Sequence, residues 1–190
     1  ERCKMKSRLI IGLFLGVSFI QIITPLSMII KRESVLKNGG QFKFKTAPVD
    51  PYDAFRGRYV ALEIEDNYVP AIKETKLSRG QTVYGLINID SQGFAKFTTV
   101  TTVRPQGKSY IQTKVQYVSD DKVHLDLPID RYYMEEKAAP MAERIYQHYV
   151  QRGKQDAYVI VRIKDGFAVI ESLYVGGQRI EDAVKQERKK

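Results

Sequence analysis

Two hydrophobic patterns divide the chain. From Leu9 to Ile30 it is almost continuously apolar, and beyond residue 40 apolar and polar residues alternate in short runs. About 20 apolar residues are enough to cross the hydrocarbon core of a bilayer as a helix, and no charge interrupts the first run. Gln21, Thr24, Pro25 and Ser27 weaken its outer end, where neighbouring groups can satisfy the backbone. Lys4, Lys6 and Arg8 precede the run, and Lys31 and Arg32 follow it. The run exceeds the apolar core of a cleaved signal peptide and is followed by no small-x-small cleavage site, so it predicts an uncleaved, single-pass signal anchor. The short basic N-terminal side predicts that end inside and the domain outside the cytoplasm. Gly12 and Gly16 fall on one helix face and would suit a homodimer seam, although glycine is also an ordinary constituent of membrane helices.

The second pattern predicts strands. Gln41–Thr46, Tyr59–Glu65, Thr82–Ile89, Phe94–Val103, Tyr110–Ser119, Val123–Leu127, Ala157–Lys164 and Phe167–Val175 alternate or are rich in β-branched residues. Asp90-Ser91-Gln92-Gly93 and Asp165-Gly166 are hairpin turns. Asn67–Gly80 is polar and mixed, and reads as a loop crossing or short helix. Met141, Ala142, Ile145, Tyr146, Tyr149 and Val150 recur at spacings of three and four behind Pro140, which predicts an amphipathic helix stopped by Gly153. The expected architecture is a single N-terminal transmembrane helix followed by a mainly β, antiparallel domain with one amphipathic helix. That domain is either barrel-like or built of two packed sheets. The chain divides into a basic segment (1–8), an anchor (9–30), a juxtamembrane linker (31–40), the β-rich domain (41–180) and a charged tail (181–190).

The first long strand is introduced by an unusual stretch, Asp50-Pro51-Tyr52-Asp53-Ala54-Phe55-Arg56-Gly57-Arg58-Tyr59-Val60-Ala61-Leu62-Glu63-Ile64. A turn-forming half runs straight into a strand whose inner face is Val60, Leu62 and Ile64. The stretch resembles the signature of the GDYXXLXY family of membrane-anchored proteins, in which a DPRD-x-FRGDY segment leads into a strand. Asp50, Pro51, Asp53, Phe55, Arg56, Gly57, Tyr59 and Leu62 fit that pattern, while Arg58 replaces its aspartate and Ile64 its last tyrosine. Asp130-Arg131-Tyr132-Tyr133-Met134-Glu135 resembles a Tyr-aromatic-x-x-Glu segment later in the same family. The resemblance implies a membrane location and, because genes of this family often neighbour those of multi-spanning membrane proteins, a membrane-protein partner. It makes Asp50, Asp53, Arg56, Gly57, Arg58, Tyr59, Leu62, Tyr133 and Glu135 the candidate binding residues.

Charge and reactive residues narrow the chemistry. Lysine and arginine number 31 against 22 aspartates and glutamates, a net charge of +9. Such a bias fits an anionic membrane surface, an acidic partner or plain solvation. An anchor and an extracytoplasmic address weigh against nucleic acid. The single cysteine, Cys3, excludes a disulfide within one chain. His124 and His148 have no ligand spacing, and phosphate-cradle and Gly-x-Ser-x-Gly motifs are absent. Neither a metal nor a cofactor is expected. Arg56 and Arg58, beside Tyr59, could hold a carboxylate or phosphate. The plainer reading pairs Arg56 with Asp50 or Asp53. The functional expectation is a noncatalytic binding or scaffolding protein of the cell envelope, set in the lipid bilayer beside a membrane-protein partner. The alternative is a membrane-tethered hydrolase with a site near Asp50–Ile64 built from Asp53, Arg56, Tyr59 or Glu135.

Overall fold

The structure, a computed structural model, describes residues 2–47, 59–70, 77–119, 121–151 and 156–189, the side chains of residues 2–10 and 151 excepted. Helix α1 runs from Arg2 to Asn38, about 55 Å at 1.5 Å per residue. From Ile11 to Ile30 its large apolar side chains are exposed, Leu13 at 69% and Phe14 at 68%. It is long and apolar enough to cross a membrane. The hydroxyls of Thr24 and Ser27 donate to the carbonyls of Ile20 at 2.9 Å and Thr24 at 2.7 Å. Both hydroxyls of the outer end are thus satisfied by the helix itself.

The stretch read as a linker is helix as far as Asn38. Lys31–Asn38 holds no helix breaker, and Glu33 pairs with Lys37 one turn on at 3.2 Å. Gly39 ends the helix, its N–H donating to the Val35 carbonyl at 2.8 Å. A Cβ on Gly39 would stand 2.5 Å from that same oxygen, so this exit requires glycine.

The domain beyond contains β1 (Gly40–Ala47), β2 (Tyr59–Ala61), β3 (Glu63–Ile64), β4 (Tyr68–Pro70), β5 (Thr82–Ile89), β6 (Ala95–Thr101), β7 (Tyr110–Ser119), β8 (Lys122–Asp126), β9 (Arg131–Tyr133), α2 (Ala139–Gln151), β10 (Ala157–Lys164), β11 (Phe167–Val175), β12 (Gln178–Arg179) and α3 (Ile180–Glu187). One five-stranded sheet has the order β12-β11-β10-β1-β3, another β4-β8-β7-β5-β6, and β2 pairs with β9. All pairings are antiparallel. The edges β4 and β6 of the second sheet approach one another, so that sheet nearly closes into a barrel. Phe44 of the first sheet stacks on Phe97 of the second with centroids 5.7 Å apart. Between them, Val83, Ile111, Val115, Leu125, Val159 and Leu173 form a single core. On α2, Ala142, Tyr146 and Val150 are buried against it, and the Tyr146 hydroxyl donates to the Ala47 carbonyl at 3.0 Å.

Both expected hairpins form. In the β10–β11 turn Asp165 and Gly166 have φ of 52° and 81°, the left-handed pair that a two-residue hairpin demands. In the β5–β6 turn the Asp90 carboxylate accepts from the Gln92 and Phe94 N–H groups, both at 2.9 Å. Those bonds, the Phe94 one foremost, lower its pKa.

Three further readings change. The motif strand breaks at Leu62: Tyr59–Ala61 joins β9, whereas Glu63–Ile64 joins β1. Val60, Leu62 and Ile64 are all buried, as the alternation requires. That alternation reports which side chains face inward but not which strand lies alongside. The polar stretch after Asn67 contributes β4, paired with β8. The end read as a charged tail folds as α3, a second amphipathic helix of the domain. Its Ile180, Ala183 and Val184 are buried at spacings of three and four among the charges. Glu181 and Asp182 sit in its first turn, where the helix dipole favours them.

Candidate functional site

The two motif segments, about 70 residues apart, meet as one antiparallel ribbon. Tyr59 lies opposite Tyr133, Val60 opposite Tyr132 and Ala61 opposite Arg131. Beyond the ribbon the Leu62 N–H donates to the Asp130 carbonyl at 2.8 Å. Alternation then sorts the side chains. Tyr132 and Val60 point into the protein, while Arg131, Tyr133 and Tyr59 line the outer face. There the Tyr59 and Tyr133 rings stand 5.6 Å apart at 57°, and the Arg131 guanidinium lies 5.3 Å from the Tyr59 centroid. Arg131 also pairs with Asp130 at 3.2 Å. A bond to Tyr133, then the Asp130 charge, raises its pKa further and keeps it a fixed cation.

The inner face is tied to the end of the chain. The Tyr132 hydroxyl donates to Glu181 Oε1 on α3. The second carboxylate oxygen is buried without a hydrogen bond and faces Arg179 Nε at 3.4 Å. Burial, then the Glu181 carboxylate, pushes the Tyr132 phenol up to about 12, against an opposing effect of Arg179. Tyr132 is therefore a neutral donor throughout the physiological range, and it locks the ribbon to α3.

A second feature lies between α1 and the domain. The last turns of α1 rest on the β10–β11 hairpin: Val35 is buried, and Lys164 Nζ donates to Ser34 Oγ at 3.2 Å. Arg162 Nη1 donates to the Gly39 carbonyl at 3.3 Å. Beside this contact is an open groove of about 1180 Å³, walled by Ser27, Ile30 and Lys31 of α1, by Lys164 and Phe167 of the hairpin, and by Arg104. A smaller pocket of about 270 Å³ lies under Leu62 and Ile64. Asp126, Leu127 and Asp130 line both, so the approach to the ribbon is also the floor of the groove.

A family model described as GDYXXLXY protein matches residues 21–173. The chain belongs to the GDYXXLXY family. The match takes in the outer half of the apolar helix, every residue named above for the groove, and both strands of the ribbon. In this GDYXXLXY chain α3, which clamps Tyr132 through Glu181, falls outside it. No curated protein and no solved structure matches the chain.

Of the residues singled out in the sequence, Asp50, Asp53, Arg56, Gly57 and Arg58 lie outside the described residues. Tyr59 and Tyr133 are brought together. Leu62 is buried in the core and serves the fold. Glu135 is exposed, and its carbonyl accepts from the Ala138 and Ala139 N–H groups at 2.9 and 3.0 Å, which starts α2. Arg131 is not among the sequence candidates, because Arg131–Tyr133 does not read as a strand in the sequence; only as β9 does its spacing of two from Tyr133 put both on one face. No signal marked Glu181 or the groove, which depend on contacts between distant segments. His124 stacks on Tyr117 at 4.2 Å, and His148 lies edge-on to Tyr149. Among the described residues no three His, Cys, Asp or Glu side chains converge as metal ligands.

Proposed function

We propose that this chain is a membrane-anchored binding module of the cell envelope, with α1 as a single-pass signal anchor and the domain outside the cytoplasm. Its work is noncatalytic: the outer face of the β2–β9 ribbon docks onto a membrane-protein partner. The observation that carries this reading is the convergence of the two motif segments into an outward-facing Tyr59–Tyr133–Arg131 cluster. Tyrosine and arginine are the side chains that most often anchor protein interfaces, because each combines a large contact area with directional polar groups. The cluster stands on a backing locked by Tyr132 and Glu181, so little ordering is required on binding. The exposed apolar surface of α1 would hold the ribbon near the bilayer, where a membrane protein is met most often. A homodimer through Gly12 and Gly16, around both of which there is open space, would leave the ribbon accessible.

A photo-crosslinking residue at position 133 of the full chain, used in intact cells, tests the proposal. It should capture an integral membrane protein, and Arg131→Ala should weaken that adduct several-fold. Capture no stronger than from exposed Thr98 on β6, or capture indifferent to Arg131→Ala, would refute it.

A further inference from the structure

We infer that the groove between α1 and the β10–β11 hairpin holds the phosphate headgroup of an anionic phospholipid, whose acyl chains lie along the exposed face of α1. The inference rests on the membrane anchorage proposed above, but not on the ribbon or its partner. Ile30 is the last apolar residue of the spanning run, and Lys31 follows at once. Ile30 and Lys31 both wall the groove. The docking of Ser34, Val35 and Gly39 onto the hairpin fixes the domain against the helix at this level. If the apolar run fills the bilayer core, the groove opens into the headgroup layer.

Its chemistry suits that layer. Lys31, Arg104, Lys114 and Lys164 face Asp126, Asp130 and Asp165 around the groove. Asp165 is engaged by Arg104 at 3.4 Å, and Asp130 by Arg131 at 3.2 Å. Among the described residues no carboxylate pairs with Lys31 or Lys164. Lys31 Nζ instead lies 4.5 Å from the centroid of the Phe167 ring, and Lys164 donates to Ser34. Two cations that no described carboxylate compensates therefore sit at the membrane side of the groove. Beside them are exposed apolar groups, Phe167 and Ile30, and Val103 is exposed next to Arg104. Long cationic side chains over apolar contacts are the composition that lipid–water interfaces select, and basic residues next to a span attract anionic headgroups.

The chain has no tryptophan, so Phe167→Trp places one fluorophore in the groove. The full-length variant is reconstituted in vesicles of phosphatidylcholine and phosphatidylglycerol, with bromine on the chains of one lipid or the other. Brominated phosphatidylglycerol should quench more strongly than its equal fraction of brominated phosphatidylcholine. Lys31→Gln and Arg104→Gln should each weaken that preference about fivefold, and the second leaves the Lys164–Ser34 contact intact. Asp126→Asn should strengthen it, an effect that a purely structural role of the cations would not produce. Equal quenching by the two lipids overturns the inference while leaving anchorage standing. Quenching by neither, with the protein extracted at alkaline pH, overturns anchorage as well. Loss of the preference on adding inorganic phosphate, at constant ionic strength, would assign the groove to a soluble anion. Loss on adding an acidic peptide would assign it to a protein segment.

Discussion

At the scale of single residues, adjacent tyrosines perform opposite tasks. Tyr132 is buried and donates to Glu181, whereas Tyr133 is exposed beside Tyr59. Tyr132→Phe would leave the half-buried Glu181 carboxylate without its phenol donor, which costs about 1 kcal/mol. Tyr133→Phe should change stability by less than about 0.5 kcal/mol while still weakening the proposed partner contact. Thermal unfolding of the full chain in detergent micelles separates the two. Consecutive strand residues face opposite ways, but the division was not legible in the sequence, because the three residues of β9 are too short a run to read as a strand. The identity of Glu181 as partner was not legible, since it lies 49 positions and three strands further on. The same buried phenols give a pH signature. Burial pushes both Tyr132 and Tyr146 up to about 12, above the value near 10 expected in the unfolded chain. The unfolded chain therefore loses these protons first as pH rises. The stability they confer is complete below about pH 10 and is lost progressively between about 10 and 12. Tyr146→Phe should flatten that loss in a series of melting temperatures against pH; an unchanged slope would refute the assignment to Tyr146.

At the scale of elements, local signals are legible in the sequence and non-local ones are not. The bounds expected for β5, β7, β10 and β11 are the observed ones, because a short turn fixes the strands on either side of it. The break in the motif strand, the β4 pairing and α3 depend on partners far along the chain, and charge masked the three-residue spacing of Ile180, Ala183 and Val184. The turns themselves can be ranked. Gly93 and Gly166 have nearly the same φ, 82° and 81°, but a Cβ on Gly93 meets nothing within 4 Å, whereas one on Gly166 would stand 2.5 Å from Tyr110 Cε2. Gly93→Ala should cost about 1–2 kcal/mol for the left-handed backbone alone. Gly166→Ala should cost visibly more, because the Tyr110 ring must move while Gly166 also accepts from the Gln112 N–H at 2.9 Å. Equal losses in melting temperature would mean that Tyr110 yields freely.

At the scale of the whole molecule, the apolar helix, the two packed sheets and the ribbon form one argument about address. The groove and the ribbon share Asp130, so the surface that would meet a partner and the surface nearest the bilayer adjoin. Which compartment they face decides what they can meet. Arg2, Lys4, Lys6 and Arg8 lie on one side of the apolar run, and Lys31, Arg32 and Lys37 on the other, so charge alone is nearly balanced. In the proposed orientation the basic residues before the run form the flank held in the cytoplasm, as lysine and arginine beside a span are. The expected outcome is therefore a domain outside. In intact cells, a membrane-impermeant thiol reagent should label a cysteine placed at exposed Ser119 in a Cys3→Ala background, and should not label native Cys3. The reverse pattern would place the ribbon in the cytoplasm. The net charge of +9 would then count toward a cytoplasmic acidic partner, while the lipid groove would still be expected, now filled from the inner leaflet, where anionic headgroups attract basic residues next to a span.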